Sequence, residues 1–261
     1  MSIVPLLLLG LIQGLTEFLP ISSDGHLSLA LLFLPSTGGS ALPLETALHG
    51  GTLLAVMVWF RRELAAVVSE GAALLRGVRP QPGGLLVPVL IGSIPTAVIG
   101  LALRDTVEGA IASRAVILSC MAVTALLLAA SDRVSGEGAA GRDLVSWRQA
   151  LLIGAAQGLA VLPGLSRSGA TIAVALFAGV RRETAFTYSF VLSVPAVFGA
   201  LLLEARGAEL PPLWPIGVAV AAATGLAALT LLRPLVQRRR LTLFSVYLAL
   251  LILAVALLGR S

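Results

Sequence analysis

The residues able to do chemistry in this chain are gathered in two short polar turns set inside apolar sequence. The first turn, Pro20-Ile21-Ser22-Ser23-Asp24-Gly25-His26, closely follows Gln13 and Glu17. Gln13 and Glu17 are four residues apart, so a helix carries them on one face. An ionisable Glu inside an apolar segment is costly and by default signals function. Ser22, Ser23, Asp24 and His26 add two hydroxyls, a second carboxyl and an imidazole. A hydroxyl close to an imidazole is the pairing of a nucleophile with its base, and histidine titrates near neutral pH. Capping of the next helical limb by Ser23 or Asp24 explains one of these residues. It does not explain Glu17 and His26 beside them.

The second turn is Pro163-Gly164-Leu165-Ser166-Arg167-Ser168-Gly169. Arg167 stands at the start of another helical limb. A guanidinium grips phosphate oxygens through forked, charge-assisted hydrogen bonds, and the N–H groups of a helix N-terminus add an anion site. Ser166, Ser168 and Thr171 offer further donors. A structural alternative, in which Arg167 only neutralises Glu17, is compatible with phosphate binding. One turn thus supplies an anion clamp, and the other an acid, a hydroxyl and an imidazole. Phosphoryl transfer needs charge stabilisation, a nucleophile and proton transfer. The substrate is expected to be amphiphilic, because both turns lie between apolar segments.

Those segments identify the solvent. The 261 residues are 57% hydrophobic and only 12% charged, with a mean hydropathy of +0.99. A soluble domain carries about 25% charged residues, so lipid must solvate much of this chain. The net charge is +5, and every basic residue is arginine. A basic balance can indicate nucleic acid, but most of these arginines flank apolar runs, which points to a membrane instead. Cys120 lies in an apolar run, has no partner for a disulfide, and reads as core filler. The N-terminus lacks a basic n-region, so no cleavable signal peptide is expected.

A spanning helix takes about 20 mostly apolar residues. Six runs qualify as spans, at 44–60, 85–103, 112–130, 185–203, 213–232 and 241–258, and 63–76 suits an interfacial helix. The apolar regions 3–34 and 147–180 are each interrupted by one polar turn. Their halves are too short to span and suit the limbs of re-entrant hairpins, whose irregular backbone must be buried in protein or line a wet cavity. With the first span running inward, Arg61, Arg62, Arg76, Arg79, Arg133, Arg142, Arg148, Arg181, Arg182, Arg233, Arg238, Arg239 and Arg240 all fall on the cytoplasmic side. Only Arg104, Arg114, Arg206 and Arg260 fall outside. The positive-inside rule supports this orientation, with both termini outside.

The two interrupted regions echo each other. Gln13-Gly14-Leu15 matches Gln157-Gly158-Leu159, Leu19-Pro20 matches Leu162-Pro163, and Ser22-Ser23-Asp24-Gly25 parallels Ser166-Arg167-Ser168-Gly169. Further on, Ser93-Ile94-Pro95 is echoed by Ser193-Val194-Pro195. The chain therefore reads as one integral membrane domain. Residues 1–131 form a first repeat, 132–146 a Gly-rich cytoplasmic linker, and 147–261 a second repeat of inverted topology. Such folds bring broken helices together near the midplane, so the two polar turns should share one site. The fold expectation is an all-α polytopic membrane protein with six transmembrane helices plus two re-entrant helical hairpins. His49, beside Gly50-Gly51, reads as a packing or interfacial residue. Trp59, Trp147 and Trp214 read as interfacial anchors, and the small residues from Gly217 to Gly225 as close helix packing.

The run from Gln13 through Glu17 and Ser22-Ser23-Asp24-Gly25 to His26, together with Pro163-Gly164-Leu165-Ser166-Arg167-Ser168-Gly169-Ala170-Thr171-Ile172, closely resembles the two signature motifs of the bacterial undecaprenyl-diphosphatase (bacitracin-resistance) family. The resemblance covers essentially the whole chain in length, span count and motif order. It implies a multi-pass enzyme of the bacterial inner membrane. The implied reaction takes undecaprenyl diphosphate to undecaprenyl phosphate and inorganic phosphate, recycling the lipid carrier for cell-wall synthesis, with bacitracin resistance as a consequence. It also implies a divalent cation (Mg2+ or Ca2+) and a site opening toward the outer face. By motif match, Glu17, Ser23, His26 and Arg167 take the catalytic positions. Ser22, Ser166, Ser168 and Thr171 are expected to join Arg167 on the substrate, and Gln13 and Glu17, the matched paired positions, to face the cation. The expected partners are the lipid substrate and membrane lipids, with no nucleic acid and with a homodimer left open. A lipid-carrier flippase or secondary transporter is the rival reading, because inverted repeats with broken helices are common in transporters.

Two positions depart from the family pattern. The first motif position is Glu or Gln in the family and is Gln13 here, which removes one charged ligand. The residue before the turn glycine is commonly Thr and is Asp24 here. We hypothesise that Asp24 restores the missing carboxylate, since hard cations prefer oxygen ligands. Asp24→Thr is then expected to raise the cation concentration that activity requires. An unchanged metal dependence would rule the idea out.

Overall fold

The computed structural model describes residues 3–31, 42–79, 83–111, 113–134, 144–204, 210 and 212–258. Its elements are all helices: α1 (Ile3–Phe18), α2 (Ser23–Leu31), α3 (Leu42–Trp59), α4 (Arg61–Leu75), α5 (Leu86–Ala102), α6 (Arg104–Ile111), α7 (Arg114–Val134), α8 (Trp147–Leu159), α9 (Arg167–Phe177), α10 (Arg182–Glu204), α11 (Trp214–Gln237) and α12 (Thr242–Leu258). Both interrupted regions are helix–break–helix. Their limbs α1, α2, α8 and α9 have 16, 9, 13 and 11 residues, short of the ~20 needed to cross a bilayer.

The six expected spans coincide with α3, α5, α7, α10, α11 and α12. Three of them, α7, α10 and α11, are long and apolar enough to cross a membrane, whereas α5 and the described apolar parts of α3 and α12 are shorter. The amphipathic α4 buries none of its residues. Helix α6 was not anticipated. It begins at Arg104-Asp105, where the preceding apolar run ends, and its eight residues are too few to show a helical period.

The exterior is apolar, unlike that of a water-soluble protein, and polar side chains are buried beside the apolar core. Val98, Leu126 and Leu250 face outward with more than half their surface exposed, while Gln13, Thr124 and Thr171 are fully buried. Apolar side chains face outward because lipid is as apolar as they are, so close packing must hold the helices together. Two glycine seams provide it. Where α1 meets α11, a Cβ on Gly14 would strike the Thr224 hydroxyl and come within 2.5 Å of the Ala221 carbonyl oxygen. Gly217, Ala221 and Gly225 are buried on the α11 side, as the small-residue pattern predicts. Where α5 meets α8, a Cβ on Gly154 would overlap the Gly92 carbonyl. Thr96 adds a hydrogen bond across this seam, its hydroxyl donating to the Gly154 carbonyl at 2.9 Å.

A cluster of Phe18, Phe60, Phe186 and Phe190, with ring centroids 5.0 to 5.8 Å apart, fixes the end of α1 against α10. A polar staple joins α7, α10, α11 and α12. The Arg182 guanidinium lies 3.3 Å from Asp132 and donates to the Val236 carbonyl at 2.9 Å. The other Asp132 oxygen accepts from the Thr242 backbone N–H at 2.8 Å and its hydroxyl at 3.0 Å.

The seams make a direct prediction. Gly154→Val should lower the thermal midpoint of the detergent-solubilised protein, losing about 1–3 kcal/mol to overpacking. Gly199→Ala, at a helical position with open space within 4 Å, should not.

Candidate active site

Glu17 stands in the last turn of α1 with 5% of its side chain exposed. A buried carboxylate must be paired and hydrogen-bonded, and Glu17 is. One oxygen forms an ion pair with the Arg167 guanidinium. The other accepts from the Ser23 hydroxyl at 2.6 Å and from the Gln13 side-chain amide at 3.1 Å. The Nε2 of His49 stands 3.5 Å from that same oxygen and 3.8 Å from Asp24 Oδ1. The two polar turns therefore meet, joined by a salt bridge between residues 150 positions apart.

Each turn is shaped for this meeting. Ser22 adopts a left-handed backbone, φ 70°, which is uncommon for a residue with a side chain and often marks functional sites. The turn lets the Ser22 carbonyl accept from the His26 N–H at 3.3 Å and from Nδ1 of the His26 ring at 2.7 Å. Helix α2 lies close to α7, since a Cβ on Gly25 would collide with Met121. In the second turn Ser166 caps α9, its hydroxyl accepting from the Gly169 N–H at 3.2 Å. Thr124 of α7 fixes that turn: its hydroxyl accepts from the Ser166 N–H at 3.0 Å and donates to the Gly164 carbonyl at 3.3 Å. The turns also touch directly, because a Cβ on Gly169 would lie 3.2 Å from Pro20.

Of the anticipated residues, Gln13, Glu17, Ser23 and Arg167 bond to one another, and Asp24 approaches through His49. Ser22 serves as the hinge of the first turn. His26 does not bond to Ser23; its ring nitrogens engage the Ser22 carbonyl and the Tyr247 hydroxyl. The hydroxyls of Ser166 and Ser168 are buried and 3.2 Å apart. Thr171 is fully buried and bonds to Ser189 and to the Arg167 carbonyl. In this structure it braces α9.

Three residues at the site were not singled out by sequence. His49 was assigned to packing or an interface, yet it sits between two carboxylates. Its signal was available: an imidazole in an apolar run carries the same cost as Glu17. Thr124 and Tyr247 gave no signal, because one hydroxyl in an apolar helix is ordinary.

The arrangement suits transfer chemistry. Ser23 already donates to a carboxylate able to take its proton, and Arg167 stands at the N-terminus of α9, where an anion is favoured. For a cation the fit is partial. Gln13 Oε1 is buried without a hydrogen-bond partner, and with Glu17 and Asp24 it offers hard oxygen donors. Among the described residues, however, no group of three or more His, Cys, Asp or Glu is gathered to hold a metal ion. An ion here would take its remaining ligands from a bound phosphate, as Mg2+ sites commonly do.

Residues 6–255 match the family model described as bacitracin resistance protein BacA. The undecaprenyl-diphosphatase of Syntrophotalea carbinolica is 42% identical over 258 residues, covering 95% of each chain. That of Korarchaeum cryptofilum is 41% identical over 260 residues, again with 95% coverage of each. The Desulfosudis oleivorans protein of the same name is 43% identical over 255 residues, 92% of each. With both signature turns joined in one site and this similarity running nearly end to end, the chain belongs to the bacitracin resistance protein BacA family, alongside these undecaprenyl-diphosphatases.

Proposed function

We propose that this protein is a multi-pass membrane phosphatase that hydrolyses undecaprenyl diphosphate to undecaprenyl phosphate and inorganic phosphate, recycling the lipid carrier for cell-wall synthesis. Its relatives carry that activity in their names. The observation that carries the reading is the shared carboxylate. Glu17 bonds at once to the phosphate-binding Arg167 and, at 2.6 Å, to the Ser23 hydroxyl.

The steps follow from those contacts. The lipid diphosphate enters between helices, its isoprenoid tail remaining in lipid. Its terminal phosphate draws on Arg167 and on the N-terminus of α9. Ser23 Oγ attacks the terminal phosphorus and its proton passes to Glu17. The bond to the bridging oxygen breaks, undecaprenyl phosphate leaves, and the phosphoryl group remains on Ser23. Glu17 hands the Ser23 proton to the departing undecaprenyl phosphate and is a carboxylate again. Water then attacks the phosphoserine, its proton passing to Glu17 and on to Ser23 Oγ as the P–Oγ bond breaks and inorganic phosphate departs. Gln13 holds Glu17 in position. A divalent cation bound by Gln13, Glu17 and Asp24 would supply charge neutralisation for the diphosphate. His26 and the paired Ser166 and Ser168 complete the walls of the site.

The topology is part of the proposal: six spans and two re-entrant hairpins in inverted repeats over 1–131 and 147–261, both termini outside, and a site open to the outer face. Supporting it, the first limb of each hairpin packs on the opposite half, α1 on α11 and α8 on α5.

The test is phosphate release from undecaprenyl diphosphate by purified protein in detergent, with and without chelator. Arg167→Ala should cost at least ~10²-fold, the scale of one lost charge-stabilising donor. Glu17→Gln should cost ~10²–10⁴-fold, the scale of a general base. Ser23→Ala should abolish the phosphoenzyme that acid quenching traps on the wild type. Release with no phosphoenzyme on Ser23 would make water the nucleophile. No release from folded protein, across several cations and lipid diphosphates, would favour the carrier-flippase alternative.

A further inference from the structure

His26 has both ring nitrogens engaged, and the partners dictate where its proton lies. Nδ1 is 2.7 Å from the Ser22 carbonyl oxygen, which can only accept, so Nδ1 carries the hydrogen. In the neutral ring Nε2 then presents a lone pair. It lies 2.7 Å from the hydroxyl of Tyr247, which must therefore donate to it. The two rings also stack, with centroids 5.7 Å apart and planes at 12°.

Tyr247 is a distant contributor. It stands on α12, 221 positions from His26, and α12 packs on α7 independently of it. Ser245 donates to the Ala125 carbonyl at 2.7 Å, and Leu241 and Leu248 are fully buried while Tyr247 is 43% exposed. Packing thus places the helix, and the half-exposed tyrosine is spare to it. Its hydroxyl reaches into the first polar turn, on the side of His26 away from the Ser22 carbonyl.

We propose that Tyr247 is a positioning residue for the reaction: its hydroxyl occupies the Nε2 lone pair of the Nδ1–H tautomer that the Ser22 carbonyl sets, holding the His26 ring from its second side, which leaves the Ser23 proton to Glu17. A ring held from both sides is a fixed wall rather than a mobile base, and such fixing keeps reacting groups in line. The second half of the chain then contributes to the first turn twice, through Arg167 and through Tyr247. The kinetic consequence rests on the phosphatase reading. The tautomer does not.

The experiment uses both properties. The chain has two histidines, so 15N-histidine labelling of the full-length protein in detergent gives two sets of ring signals, assigned with His49→Gln. His26 is expected as the Nδ1-protonated tautomer in both proteins, with the unprotonated Nε2 signal shifted in Tyr247→Phe, which keeps the ring and loses only the hydroxyl that donates to that nitrogen. In phosphate release, Tyr247→Phe should lower kcat about five- to tenfold, the scale of one neutral hydrogen bond, with KM within about twofold and an unchanged thermal midpoint. The same substitution in a His26→Ala background should have no further effect, since the two act as one unit. Unaltered His26 signals in Tyr247→Phe, or an equal loss of kcat in both backgrounds, would overturn the proposal. Absence of phosphate release from the wild type would instead strike the phosphatase reading, leaving the Nε2 signal to decide this one.

Discussion

A carboxylate inside an apolar protein is tolerable only with a partner, and Glu17 organises this molecule because it needs one. Breaking a buried ion pair by removing one side costs about 3–5 kcal/mol. Arg167 is the counter-charge, and it lies in the other half of the chain. Satisfying Glu17 therefore requires two separate helical hairpins to place their breaks at the same point. The backbone breaks follow from the same requirement. An unbroken α1 would carry Ser23 past Glu17, whereas the left-handed Ser22 turns the chain back so that the hydroxyl reaches the carboxylate.

What holds the breaks together is mostly apolar and lies outside the site. The glycine seams of α1 with α11 and of α5 with α8 set how closely the hairpins can approach their neighbours. The phenylalanine cluster begins at Phe18, immediately after Glu17, and ties the end of α1 to α10. Thr124 then fixes the second turn from α7 through two backbone groups. Strain at Ser22 persists because the surrounding packing over-determines it. The polar staple of Arg182, Asp132 and Thr242 lies in another part of the fold and shares no residue with the site.

Much of this was legible in the sequence wherever cost was the signal. Glu17 and Arg167 stood out because charge in apolar sequence is expensive, and the two breaks stood out because Pro, Gly and Ser interrupt runs too short to span. His49 carried the same signal and was set aside for its glycine neighbours. The reason for its presence lies on other helices, 3.5 Å away at Glu17, and no spacing along α3 reports that. Thr171 shows a different side of the same limit. Its position in the second motif suggested a ligand donor, but one turn into α9 its hydroxyl falls back on the helix's own carbonyls, the usual fate of a threonine there. Tyr247 was invisible because its partner is set by how α12 lies on α7, a tertiary fact with no local pattern.

The shared carboxylate also gives the proposed chemistry its order. Before substrate binds, Arg167 is neutralised by Glu17, so the apolar interior holds no net charge from that pair. An arriving phosphate competes for the guanidinium and leaves Glu17 with less of its counter-charge. A buried carboxylate in that position is best stabilised by a proton, and the nearest one is on Ser23, 2.6 Å away. Substrate binding and nucleophile activation thus become one event, because the interior tolerates only one arrangement of these charges at a time. A water-filled site would lose this coupling, since solvent would screen Arg167 and Glu17 from each other's occupancy. In the proposed mechanism, burial of this pair would make the nucleophile answer to its substrate.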